Sequence, residues 1–184
     1  MDSILDAAEK KSRKALEVTS REFGTIRTGR ASPGVLERLQ VNYYGALTPL
    51  VQVATVSAPE ARLLVIQPYD RNSITEIEKA ITQSDLGFVP SNDGEVIRVP
   101  VPQLTEERRR ELSRLVKTRA EEGKVAVRNV RREAVEQLRA EEKEGKATRD
   151  DLKRDTDIAQ KITDRYVKEI DELTARKIEE LMEI

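Results

Sequence analysis

Apolar residues in the first 28 positions recur at helical spacing. Ile4, Leu5, Ala8, Ala15, Val18, Phe23 and Ile26 fall mostly at steps of three and four, which predicts an amphipathic helix over residues 2–28. The pattern stops at Thr28-Gly29-Arg30-Ala31-Ser32-Pro33-Gly34, where two glycines and a proline break any helix.

Between residues 35 and 103 the period shortens. Val41-Asn42-Tyr43-Tyr44, Leu50 to Val56, Leu63-Leu64-Val65-Ile66 and Val96-Ile97-Arg98-Val99 are short β-branched runs bounded by Gly and Pro, and they read as strands. Asn72-Ser73 opens a short helix with Ile74, Ile77 and Ile81 on one face; Ser73 followed by Glu76 fits a capping box. Ser84-Asp85-Leu86-Gly87 closes it, and Asn92-Asp93-Gly94 is a turn. Tyr43 and Tyr44 alternate, so one belongs to the core and the other faces outward, where it could meet a partner.

Helical spacing returns at Thr105-Glu106-Glu107, a hydroxyl cap followed by first-turn acids. Leu112, Val116, Ala120, Gly123, Val127, Val130, Ala134 and Leu138 form one seam, without proline, to about Glu144. Gly145 is a natural stop. Thr148 then caps a third helix, with Asp150 and Asp151 in its first turn and a seam of Leu152, Ala159, Ile162, Tyr166, Ile170, Leu173 and Leu181.

No single helix of the three can bury its stripe alone. The fold class expected is therefore α+β: an antiparallel three-helix bundle from residues 1–29 and 105–184, carrying a small α/β domain inserted at 30–104. The chain crosses between these bodies near 29–33 and 101–105. Both crossings contain Gly or Pro, so a paired hinge is expected.

Composition narrows the chemistry. Charged residues make up 36% of the chain and aromatics 3%, which suits long helices with one buried stripe and a wet remainder. The absence of Cys excludes disulfides and thiolate catalysis. The absence of His removes the usual general base and the commonest metal ligand, which leaves an enzyme only carboxylates, Lys or Ser. Without an apolar run near 20 residues or a leader-like N-terminus, a soluble cytosolic protein is expected.

Net charge is −1, but residues 108–132 carry ten basic and three acidic groups. Most of the basic ones are Arg, which suits bidentate phosphate contacts. Arg110, Lys117, Lys124 and Arg131 recur every seven residues, with Arg114 and Arg128 between them. At 100° per residue these six cluster about 110° from the apolar seam, as a ridge on an exposed flank. Glu121 is the one acid in that heptad position, and Arg132 sits further around. Acids are sparse here, so many of these cations are expected to lack a partner one turn away. A nucleic-acid backbone is the candidate ligand. With no aromatic residue on this helix, backbone and shape recognition of folded RNA fits better than base stacking. A solvated face, or a ridge that meets an acidic protein, remains open. Arg27 and Arg30 flank the first crossing and either support the fold or extend the ridge.

Several motifs then converge. Ile26-Arg27-Thr28-Gly29-Arg30-Ala31-Ser32-Pro33, Tyr43-Tyr44-Gly45, Ser84-Asp85-Leu86-Gly87, Asn92-Asp93-Gly94, Ile97 to Pro102, Leu104 to Arg109, and Val125-Ala126-Val127-Arg128-Asn129-Val130-Arg131-Arg132 occur in the order and spacing of one family. Over its whole length the chain resembles ribosome recycling factors. The resemblance implies an L-shaped molecule near tRNA in size that acts after termination. Its implied partners are the 50S subunit, through 23S rRNA, and elongation factor G, whose GTP hydrolysis helps split the subunits. It implies rRNA contacts at Arg27, Arg30, Arg110, Arg128 and Arg131, and a hinge at Arg30-Ala31-Ser32 and Gln103-Leu104-Thr105. The ridge adds Arg114, Lys117, Lys124 and Arg132, with Asn129 between them. A monomer without catalysis, cofactor, metal or membrane partner is expected.

Overall fold

Residues 2–183 are described by the computed structural model, and they divide into two compact units. One comprises residues 2–23 with Arg114–Ile178; the other comprises Gly24–Ser113 with residues 179–183.

The first unit is helical. It is built from α1 (Asp2–Gly24), most of α4 (Glu106–Lys143) and most of α5 (Arg149–Met182). Side-chain ties set the directions. Lys11 meets Glu133 at 2.6 Å and Glu22 meets Arg119 at 3.8 Å, so rising numbers on α1 face falling numbers on α4. Lys124 meets Asp171 at 2.9 Å and Arg131 meets Gln160 at 2.7 Å, so α5 also runs antiparallel to α4. Much of the predicted stripes is buried, namely Val116, Ala120, Val127, Ala134 and Leu138 on α4, and Ala159, Tyr166 and Ile170 on α5, while Val130, Leu152, Ile162 and Leu173 are half-buried and Val18 of α1 is exposed. A fully buried leucine such as Leu138 contributes about 1.5–3 kcal/mol. Four polar residues share this interior: Ser12, Thr19, Asp155 and Thr163. An apolar pattern passes over them. Thr19 and Thr163 each donate to the carbonyl four residues back, Ala15 and Ala159, at 2.9 Å, so those hydroxyls are satisfied within their own helices.

Gly123 sets how closely α4 approaches α1. A Cβ there would lie 2.2 Å from Thr19 Oγ1, so the helices meet at a distance that only a missing side chain permits.

The helix ends follow local chemistry. Thr105 Oγ1 accepts from the Arg108 amide at 3.2 Å and caps α4. At its other end Gly145 has φ +72°, Gly145 N donates to Glu142 O, and Lys146 N donates to Glu141 O, a Schellman stop. Thr148 and Asp151 then cap α5 reciprocally. Thr148 Oγ1 accepts from the Asp151 amide at 3.1 Å, and Asp151 Oδ2 accepts from the Thr148 amide at 3.1 Å. α1 ends at Gly24, four residues before the predicted stop, although Ile26 is still buried. Apolar spacing reports burial rather than helical hydrogen bonding, and here burial outlasts the helix.

The second unit carries the sheets. β1 (Gln40–Tyr43) and β2 (Ala46–Pro49) form a hairpin. After α2 (Leu50–Val53), β3 (Ala54–Glu60), β4 (Leu63–Pro68), β5 (Ser91–Asn92) and β6 (Ile97–Pro100) form an antiparallel sheet in the order β3-β4-β6-β5. Leu64, Ile66, Ile97 and Val99 point inward, with Ile77 and Ile81 of α3 (Ile74–Gln83) in the same core. Residues 50–56 are therefore not one strand, as their β-branched character predicted. A strand would send Leu50 and Val53 to opposite faces; one helical turn buries both. The expected Ser73–Glu76 capping box is also replaced. Asp70 Oδ1 accepts from the Asn72 amide at 2.9 Å, and Ser73 Oγ donates to Asp70 O at 2.6 Å, so the cap lies one short turn upstream. Tyr43 packs against the core while Tyr44 is exposed.

Candidate functional site

The basic stretch of α4, residues 108–132, is continuous helix, so its charges lie along about 37 Å of rod at 1.5 Å per residue. It is not a uniform ridge. Among the described residues Arg114, Lys117 and Arg132 are exposed and have no carboxylate within 4.0 Å. Asn129 is exposed between Arg128 and Arg132. These positions match the expectation of free cations.

The others are engaged. Arg110 pairs with Glu106 one turn earlier, so the first-turn acid partners the ridge as well as the helix end. Glu121 accepts from Arg128 at 3.0 Å and lies 3.5 Å from Lys124. The hydrogen bond from Arg128, with the nearby charge of Lys124, holds the Glu121 carboxyl below its ordinary range. Lys124 is only 20% exposed and reaches Asp171 at 2.9 Å, which raises its pKa. Arg131 is half-buried and donates to Gln160 Oε1 at 2.7 Å. The expectation of unpartnered guanidinium groups thus fails at Arg110 and Arg128, and that of an exposed ammonium at Lys124. The reasons differ: Glu106 and Glu121 lie on α4 itself, one and two turns from Arg110 and Arg128, whereas Asp171 and Gln160 arrive from α5, and helical spacing on α4 carries no trace of them.

In the second unit, Arg27 belongs to the fold. Nη1 donates to Leu86 O at 2.8 Å, Nη2 donates to Pro102 O at 2.7 Å, and the guanidinium lies 5.1 Å from the Phe88 ring centre. Burial, and then the charge of Arg108, push its pKa down. Arg30 is exposed and meets Glu183 at 2.6 Å. Ala31 N donates to Ala61 O at 2.7 Å, and Val101 N donates to Arg62 O at 2.9 Å, so both chain crossings are fastened to the β3–β4 turn. Ser32 precedes the short 3-10 turn Pro33–Leu36; Leu104 is buried; Gln103 accepts from Arg62 at 2.7 Å in the amide orientation that satisfies both groups.

Among the described residues no cluster of three or more carboxylates could hold a metal, and no helix is long and apolar enough to cross a membrane. What the arrangement offers is a long cationic face with a few open guanidinium and ammonium groups, suited to phosphate oxygens.

A family model described as ribosome recycling factor matches residues 19–182. The chain belongs to the ribosome recycling factor family. The ribosome-recycling factor of Halalkalibacterium halodurans is 55% identical over 181 residues, covering 98% of each chain. That of a Geobacillus species is 53% identical over 184 residues, covering both chains fully. A solution structure of ribosome recycling factor aligns with TM-score 0.75 and 45% identity over 100% of this chain and 97% of the other. A further match, with TM-score 0.70 and 44% identity over 99% and 98% of the two chains, is described as models for the T. thermophilus ribosome recycling factor and the E. coli elongation factor G bound to the E. coli post-termination complex. Membership in the ribosome recycling factor family sets the process as ribosome recycling after termination, and the family is one of translation factors without catalysis. The fold class expected from the pattern, a helical bundle with a small sheet-bearing α/β insertion, is that of these relatives.

Proposed function

We propose that this chain grips large-subunit rRNA through the exposed face of α4 and, with elongation factor G and GTP, promotes splitting of the post-termination ribosome and release of mRNA and tRNA. The observation that carries this reading is the set of exposed cations without carboxylates, Arg114, Lys117 and Arg132, on a helix with a large excess of basic groups. Phosphate oxygens neutralise such a set and release its counterions. Arg110, Arg128, Arg131 and Lys124 join by exchanging intramolecular partners for phosphate, with Asn129 among them. Arg30 makes the same exchange at Glu183. Arg27 acts through the fold.

The mechanical half of the proposal uses the division 1–29 with 105–184 against 30–104. The bend lies at Arg30-Ala31-Ser32 and Gln103-Leu104-Thr105, and the motor factor drives it. The protein acts as a cytoplasmic monomer, as a wedge rather than a catalyst.

Co-sedimentation with 50S subunits across a salt series tests the grip. Arg114→Glu with Arg132→Glu is expected to weaken binding at least tenfold and to flatten its salt dependence, while the circular dichroism spectrum stays that of the parent. Unchanged affinity in a folded double variant would refute it.

A further inference from the structure

A partly enclosed cavity of about 190 Å3 lies wholly among residues of the sheet-bearing unit, beside the β3–β4 turn and the first turns of α4. Arg30, Arg62 and Arg109 line it, with Gln103, Glu180 and Glu183. Glu183 is taken by Arg30 at 2.6 Å, and Glu180 is engaged in its own interaction. Arg62 rests on the neutral amide oxygen of Gln103, at 2.7 and 3.2 Å. Arg109 is half-buried, and among the described residues its side chain makes no hydrogen bond or ion pair; its Nε is buried without an acceptor. Two guanidinium groups therefore face one cavity without a carboxylate of their own. Three arginines against two glutamates leave an excess of one positive charge.

We propose that this cavity is a binding site for a phosphate-class oxyanion, held between Arg62 and Arg109. The guanidinium fork matches two oxygens of such an anion at once, which an ammonium cannot do. The space has room for one phosphate group with part of its hydration. The two glutamates set a limit on the charge the site accepts: a singly charged group, such as a phosphodiester or a monoanionic phosphate, balances the excess. Neither Arg62 nor Arg109 belongs to the proposed rRNA-gripping face, and the site does not depend on that reading.

The test is a titration of the isotope-labelled full chain with inorganic phosphate, against chloride at matched ionic strength. Backbone amides of Gly29, Ala61 and Leu104 and the arginine Nε–H signals are followed by NMR. Saturable shifts at these positions are expected. Arg109→Gln and Arg62→Gln should each weaken them at least tenfold, and Lys161→Gln on the exposed face of α5 should not. Shifts that never saturate, or that persist in both arginine variants, would overturn the site; should Arg109→Gln fail to fold, Arg62→Gln carries the comparison. A second arm adds saturating phosphate to the 50S co-sedimentation. Release of the chain, beyond that seen with chloride, identifies an RNA phosphodiester as the natural occupant; undisturbed binding identifies a free phosphate-bearing ligand. Loss of 50S binding in the parent protein would strike the proposed grip and leave the phosphate titration standing.

Discussion

Replacing Gly123 with Ala tests whether the spacing of α1 and α4 is set by a missing side chain. In an exposed helix interior the change would stabilise by about 0.8–1.0 kcal/mol, the difference in helix propensity. Here the added Cβ falls 2.2 Å from Thr19 Oγ1 and 3.4 Å from both Thr19 Cβ and Ile170 Cδ1. Two escapes exist. Thr19 can rotate, which breaks its 2.9 Å bond to Ala15 O and strands a hydroxyl in a site 3% exposed, at about 1–3 kcal/mol. Otherwise the helices separate and loosen the seam, at a cost of about 1–3 kcal/mol. At mid-range, about 2 kcal/mol, either outweighs the propensity gain, so a net loss of about 1 kcal/mol is expected, or roughly 2–4 °C in Tm for a chain of this size. Urea denaturation followed by circular dichroism at 222 nm measures it, since the three long helices dominate that signal. A double-mutant cycle locates the cause: with Thr19→Ala in place, the Gly123→Ala penalty should shrink by about 1 kcal/mol or more. Equal or greater stability of Gly123→Ala, or strict additivity with Thr19→Ala, would refute the reasoning.

Other outcomes follow from single contacts. Glu121→Gln frees Arg128 from its acid while Lys124 stays on Asp171, and should tighten 50S binding about two- to fivefold at low salt, measured by co-sedimentation. Thr148→Ala removes one half of the reciprocal cap on α5 and should cost about 1 kcal/mol in urea denaturation. Asp93 accepts from the amides of Val96 and Glu95 and from Arg98, which holds its carboxyl well below the usual range. Because the folded form has the depressed pKa, its contribution is present above the ordinary carboxylate pKa of about 4 and is lost as pH falls further. Asp93→Asn should therefore lose less Tm between pH 5 and pH 2 than the parent protein, read by thermal melts across that range.

The helical bundle with its inserted sheet unit was legible in the chain because hydrophobic period is a local property. Steps of three and four at Val116, Ala120, Val127, Ala134 and Leu138 can be buried only by a helix, and alternation at Ile97 and Val99 only by a strand. Caps at Thr105 and Thr148 and the stop at Gly145 were legible for the same reason, since each is written within a few residues. The basic character of α4, too, is countable without coordinates.

Tertiary structure decided which of those charges are open. Lys124 and Arg131 look equivalent to Lys117 along α4, yet Asp171 and Gln160 reach them from a helix that begins after Gly145. Arg27, divided evenly between two roles by its sequence neighbourhood, is claimed by the carbonyls of Leu86 and Pro102, 59 and 75 residues away. The cavity around Arg62 and Arg109 likewise assembles from segments distant along the chain. Hydrophobic burial depends on a residue's own side chain and its spacing, so one dimension records it. Charge pairing within one helix, as in Arg110 with Glu106, is local too, but pairing across helices depends on what another segment brings within a few ångströms, and that information exists only after the chain has folded.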